Sequence, residues 1–261
     1  MQKTELEKYY EKFDEDHRLK TRHGQVEFFV TMKNILAAAQ DSENLSPIKI
    51  LDVGAATGAY SVPLSRQGFD VTAVELVPSN LQKLRSKHEK VKCWQGDARS
   101  LSFLDDETFD IVLLLGPLYH LHSKEDKLRA LSEASRVAKK GAQIFCAYVM
   151  NEYAVTQYCF GQNKIKENFG AGQIDKSFKT ISKDGDLYSY VRLEDINALK
   201  EKSGLERIKI FSPDGPADYM RRTLNAMDQE SFELFKDYAL EISERPELLG
   251  AGSHLVDVLK K

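Results

Sequence analysis

A chain of 261 residues is long enough for one large α/β domain with a buried core, or for two small ones. Its 42% apolar and 30% charged residues are ordinary for a soluble globular protein, and a net charge of −3 gives no global attraction for nucleic acid or an anionic membrane. The apolar run Ile111 to Leu115 is a strand's length and far short of a bilayer span. Met1-Gln2-Lys3-Thr4-Glu5 carries no apolar signal region, so a cytoplasmic protein is expected. Cys93, Cys146 and Cys159 have neither metal nor redox spacing and read as structural thiols.

Residues 4–20 are densely charged but carry Leu6, Tyr9, Tyr10, Phe13 and Leu19, the pattern of an amphipathic helix and a following loop. Such a helix either packs on the domain surface or forms a flap whose Tyr9, Tyr10 and Arg18 reach a ligand. Val26, Phe29, Val30 and Leu36 recur near the helical period over 25–40. A polar loop, Asp41 to Pro47, leads to Ile50, Leu51 and Val53, a short strand that stops at Gly54. Gly54-Ala55-Ala56-Thr57-Gly58 is a turn of very small residues, and Tyr60 to Arg66 reads as the helix after it. A strand, a small-residue turn and a helix N-terminus make a nucleotide-type cradle at the carboxyl end of a sheet.

Further strands are expected at Val71–Val74, Val91–Gln95, Phe109–Leu115, Gln143–Val149, Glu206–Phe211 and His254–Leu259. Helices are expected at Pro78–Lys87, from Ser123 to Gly141 with Ser123 and Asp126 as a capping box, and at Leu193–Lys202 capped by Gly204. This alternation means a mostly parallel sheet with helices on both faces. Residues 151–190 break the pattern and suit a lid or substrate wall, and 214–249 look mainly helical. The expected organisation is a single domain over 1–261. It comprises N-terminal helices (1–45), a binding core (46–150), a lid insertion (151–191) and a C-terminal part of the core (192–261).

The strand ends hold the chemistry. Glu75 lies about 20 residues after the turn begins, where an acid accepts the hydroxyls of a ribose. Its plainer role is a cap on the next helix. Asp97 after the third strand, with the Ala98 amide beside it, can meet the exocyclic amine of a base or cap a turn. His120 is the histidine placed directly at a strand's catalytic end, as a general base or as a loop scaffold. His122 is expected to face solvent, and His254 could reach the site from the last strand.

Asp52-Val-Gly-Ala-Ala-Thr-Gly58, Glu75, Gly96-Asp97-Ala98 and Leu115-Gly-Pro-Leu-Tyr-His120 resemble the class I S-adenosylmethionine (SAM)-dependent methyltransferases. Tyr9-Tyr10, Asp14 to Arg18 and the ending Leu249-Gly-Ala-Gly-Ser-His254 are similar to bacterial small-molecule methyltransferases of the broad domain 11/25 type. The resemblance implies a Rossmann-like seven-stranded sheet with its last strand antiparallel. It implies that Gly54, Ala55, Ala56, Thr57 and Gly58 hold the methionine part of SAM. Glu75 and Leu76 would meet the ribose, Asp97 and Ala98 the adenine, and Leu115 and Gly116 the amino group, with Tyr10 and Arg18 closing over. Where the family has a middle glycine this chain has Ala56, tolerable if φ is negative there.

A nicotinamide site lacks its close-approach glycine here, and no tyrosine has the partner lysine four residues on. Methyl transfer needs in-line alignment, aromatic faces for the sulfonium, which Tyr119 could supply, and proton removal, for which His120 is the candidate. After the fourth strand, Gly116-Pro117-Leu118-Tyr119 lacks the amide or carboxylate of base-amine methyltransferases, and no proline precedes a cysteine. RNA is therefore the minority reading, with Arg221-Arg222 and Lys164/Lys166 leaving it open; a SAM-binding protein without catalysis is a third. The expected partner is a small, partly apolar acceptor, with no membrane, no metal, and a monomer or homodimer.

Overall fold

Strand β1 (Lys49–Val53) is apolar on both faces and buried beyond its first residue, so it belongs at the centre of a covered sheet. In the computed structural model, which describes residues 5–12, 15–40 and 47–261, it pairs in parallel with β2 (Asp70–Glu75) and β4 (Phe109–Leu114). β3 (Val91–Gln95) forms one edge beyond β2, and β5 (Ala138–Val149) lies beyond β4. β7 (His254–Lys260) inserts between β5 and β6 (Glu206–Phe211), antiparallel to both. The order β3-β2-β1-β4-β5-β7-β6 is the expected seven-stranded Rossmann-like sheet with its last strand reversed. The chain changes direction between β1 and β4, and the crevice outside their carboxyl ends is where such sheets bind ligands.

Helices α1 (Glu5–Lys12), α2 (Glu15–Arg18) and α3 (Arg22–Gln40) precede the sheet. Where one amphipathic helix and a following loop were expected over 4–20, two helical pieces form; Thr4, Phe13 and Asp14 lie outside the described residues, as does the expected loop at 41–47 except Pro47. Helices α4 (Ser61–Arg66) and α5 (Pro78–Ser86) follow the first two strands, and α1 lies against α5. The helix opened by Ser123, α6 (Lys124–Val137), is capped as expected, with the Ser123 hydroxyl accepting the Asp126 N–H at 3.0 Å. It closes at Val137 and not at Gly141. Glu107 and Thr108 donate their N–H groups to the carbonyls of Arg136 and Val137, which starts β5 five residues early.

The insertion carries α7 (Asn151–Ala154), a wide turn at Val155–Phe160, α8 (Ile165–Gly170) and then irregular chain. Helices α9 (Leu193–Ser203), α10 (Arg221–Ala226) and α11 (Gln229–Ile242) complete the fold, with Gly204 closing α9 in a left-handed conformation as expected. Val26, Val30 and Ile35 of α3 with Leu224 and Phe232 cover one face of the sheet; Leu131, Ile196 and Leu199 of α6 and α9 cover the other. Among the described residues no helix is long and apolar enough to cross a membrane.

Candidate active site

The turn after β1 is pinned to the end of β2. The N–H groups of Gly54 and Ala55 donate to the Val74 carbonyl, and that of Ala56 donates to Glu75 Oε2 at 2.7 Å. Gly54 has φ +75°, and a Cβ there would stand 2.7 Å from Cδ of Pro117, so glycine is required by conformation and by space. Ala56 has φ +48°, so the condition under which alanine would be unstrained there, a negative φ, is not met. The bond to Glu75 holds it in the left-handed region against a cost of roughly 1–2 kcal/mol.

Gly54, Ala55 and Ala56 line a cavity of about 360 Å³; Thr57 and Gly58 do not. Thr57 is buried with its carbonyl accepting from Lys87 Nζ, and a Cβ on Gly58 would stand 2.4 Å from Leu84 Cδ1. Those two positions pack beside α5, outside the cavity wall that Gly54, Ala55 and Ala56 form.

Glu75, Leu76, Asp97, Ala98, Leu115 and Gly116 all line the cavity, as expected. Glu75 is 5% exposed and accepts the N–H groups of Ala56 and Val77 at 2.7 Å, one on each oxygen. Asp97 is held by Arg99, whose Nη2 donates to Oδ2 at 2.7 Å while Nη1 reaches Asp126 at 2.9 Å. Burial works to raise the Asp97 pKa, but the bonds from Arg99 outweigh it and hold the carboxyl below its ordinary range. Asn80, on the first turn of α5, is 1% exposed, lines the same cavity, and its Oδ1 has no hydrogen-bond partner. His122 was expected in solvent; it lines the cavity instead, with a buried, partnerless Nδ1.

A second cavity of about 300 Å³ shares Tyr10, Arg18 and Tyr119 with the first. Tyr9, Tyr153, Tyr158, Tyr188 and Tyr190 give it further aromatic walls, mostly from the 151–191 insertion. His120 lines only the first cavity. Its Nδ1 donates to the Leu187 carbonyl at 2.8 Å, which leaves Nε2 to accept from the Tyr10 hydroxyl at 2.9 Å, and its ring stacks on Tyr188. Burial pushes its pKa down to about 4. With both nitrogens bonded, His120 ties the N-terminal helices to the insertion.

Among the described residues, ion pairs stand around the second cavity at Arg18–Glu27 (2.8 Å), Arg221–Asp218 (2.6 Å) and His254–Asp214 (2.7 Å), with His23 3.7 Å from Asp218. Burial alone would discharge His254, but Glu27 and Asp214 outweigh it and raise its pKa to about 9. Asp214, Asp218 and His254 bring ligand-type atoms within 4.8 Å of one another. Each is already bonded within the protein, so the cluster is an ion-pair network. Asn80, Arg99, Glu27 and Asp214 were not singled out from sequence; the Ser-Pro-Asp-Gly turn at 212–215 signals only a change of direction.

A family model described as Methyltransferase domain matches residues 51–146. This stretch, β1 through most of β5, is a methyltransferase domain. The chain is 35% identical over 96 residues to a demethylmenaquinone methyltransferase of Streptomyces avermitilis, a match covering 37% of this chain and 40% of that protein. It is 30% identical over 87 residues to a ubiquinone biosynthesis O-methyltransferase of Rickettsia akari, covering 32% and 34%. The chain thus spans about a third to two fifths of the length of these curated relatives. Beyond the methyltransferase domain the similarity is one of fold. The methyltransferase solved with the Haloferax volcanii Trm112 methyltransferase activator superposes with a TM-score of 0.58 at 17% identity, covering 100% of this chain and 99% of that one.

Proposed function

We propose that the protein transfers a methyl group from SAM to a small-molecule acceptor. The carrying observation is the junction at Tyr10, Arg18 and Tyr119, where the cavity in the sheet crevice, walled by Glu75 and Asp97, meets a tyrosine-lined one. The residues of the first cavity fit SAM: buried Glu75 offers a carboxylate and Asn80 an Oδ1 that has no hydrogen-bond partner among the described residues, and Asp97 stands one strand further along. Bound SAM supplies a methyl carbon on a cationic sulfur.

Toward it, Glu75 and Asn80 hold the ribose, Asp97 and the Ala98 amide the adenine, and the backbone at Gly54, Leu115 and Gly116 the amino-acid part. Tyr10 and Tyr119 offer aromatic faces to the cation. His120 fixes the Tyr10 hydroxyl and the Leu187 carbonyl, drawing two covering segments together, which keeps water from the junction. The tyrosine-lined cavity suits a partly aromatic acceptor, and the names of the two curated relatives support a small molecule over RNA.

The test uses radiolabelled SAM, the purified protein and cell extract split into a metabolite filtrate and an RNA fraction. Label in the filtrate is expected. Nuclease-releasable label in the RNA fraction would overturn the small-molecule reading, and silence in both with SAM bound would favour a binding protein.

A further inference from the structure

Among the described residues, the acids around the tyrosine-lined cavity, Glu27, Asp218 and Asp214, are already matched by Arg18, Arg221 and His254, with His23 also beside Asp218. A cationic amine acceptor would face Arg18, Arg221 and His254 together. His254 differs from the two arginines in how its partner lies. Asp214 is 2% exposed and stands behind the cavity wall, accepting from Nδ1 at 2.7 Å and, on its other oxygen, from the His254 backbone N–H at 3.3 Å. Space for Asp214 exists because residue 252 is glycine: a Cβ there would stand 2.8 Å from Oδ1. With Nδ1 turned into the wall, Nε2 lies on the cavity side, and among the described residues it has no hydrogen-bond partner. The ring sits 6.4 Å from that of Tyr119, at the junction with the first cavity.

Resting on the methyltransferase reading, we propose that the acceptor is a hydroxylated aromatic ring, bound as its phenolate oxyanion against Nε2–H of His254, with Asp214 holding the imidazole in that orientation. The aromatic body stacks among the tyrosines, and the oxygen is the atom methylated. On binding, the phenol proton leaves to water. An oxygen lone pair then forms the O–CH3 bond as the methyl–sulfur bond breaks with its electron pair going to sulfur. The products are a neutral aryl ether and the thioether S-adenosylhomocysteine, and His254 keeps its proton throughout. Of the charged groups facing this ring, Glu27 and Asp214, with Asp218 beside them, outweigh burial and the opposing charge of Arg18 and keep it protonated at neutral pH.

The probe is 4-nitrophenol, whose phenolate absorbs in the visible, added to the full-length protein saturated with S-adenosylhomocysteine. Calorimetry first establishes that each variant binds S-adenosylhomocysteine. At one pH unit below the free probe's ionisation midpoint, wild type is expected to show the bound phenolate band. His254→Gln should weaken phenolate binding roughly tenfold or more. Asp214→Asn, which keeps the shape and removes the partner charge, should weaken it less. A probe bound as neutral phenol, no binding at millimolar probe, or an undiminished band in His254→Gln would each overturn the inference. Loss of S-adenosylhomocysteine binding by wild type would instead overturn the methyltransferase reading beneath it.

Discussion

Glu75 accepts two backbone N–H groups before any ligand arrives, and so it shapes the turn as well as facing the cavity. In Glu75→Gln one of those donors meets an amide N–H in place of an oxygen. SAM affinity measured by calorimetry should fall at least tenfold, since a bond to a charged acceptor contributes about 1.5–3 kcal/mol. Unchanged affinity would remove Glu75 from the cofactor site. The turn also sets a pair of opposite expectations. Gly54→Ala drives a Cβ into Pro117 and should destabilise by about 1–3 kcal/mol. Ala56→Gly relieves a left-handed alanine and should stabilise by up to about 1 kcal/mol in denaturant melts. Both acids at strand ends were legible from sequence because a strand's end is fixed by its own residues. Asn80 was not, since a polar residue in a helix's first turn has many ordinary uses.

At the scale of elements, α6 begins where its sequence says and ends where its neighbours decide. Ser123 satisfies an N–H at the start of α6, so Ser123→Ala should cost about 1 kcal/mol by chemical denaturation. The end is set by Glu107 and Thr108, whose N–H groups capture the last helical carbonyls and turn the chain into β5. No local signal at Gly141 could have shown that. The insertion at 151–191 was legible as a break in period, and its tyrosines as aromatic. That four of them line one cavity with Tyr9, Tyr10 and Tyr119 follows only from where the segment folds back.

Across the whole molecule, His254 links the last strand, the turn after β6 and α3 through Asp214 and Glu27. Its pKa is raised from 6.5 to about 9 on folding, so the native state binds more protons than the unfolded chain between those values. The resulting stability is fully present below pH 6.5 and is lost as pH rises through 9. The shift corresponds to a few kcal/mol in order of magnitude. Denaturant melts from pH 6 to 10 should therefore show wild type losing stability relative to His254→Gln as pH rises. Parallel curves would mean that His254 is uncharged in the fold.

From its own residues the chain determined the alternation of strands and helices, the small-residue turn, Glu75 and Asp97 at strand ends, and hence the crevice between β1 and β4. These follow from patterns a few residues long, where side-chain period and backbone conformation act directly. Only the tertiary structure decided that Thr57 and Gly58 pack against α5, that His120 is bonded through both ring nitrogens, and that His254 stands beside Tyr119 over a buried aspartate. Those outcomes depend on contacts between residues far apart in the chain. β7, the last strand, brings His254 to the site by inserting between β5 and β6, and local sequence carries no record of which neighbours that insertion supplies.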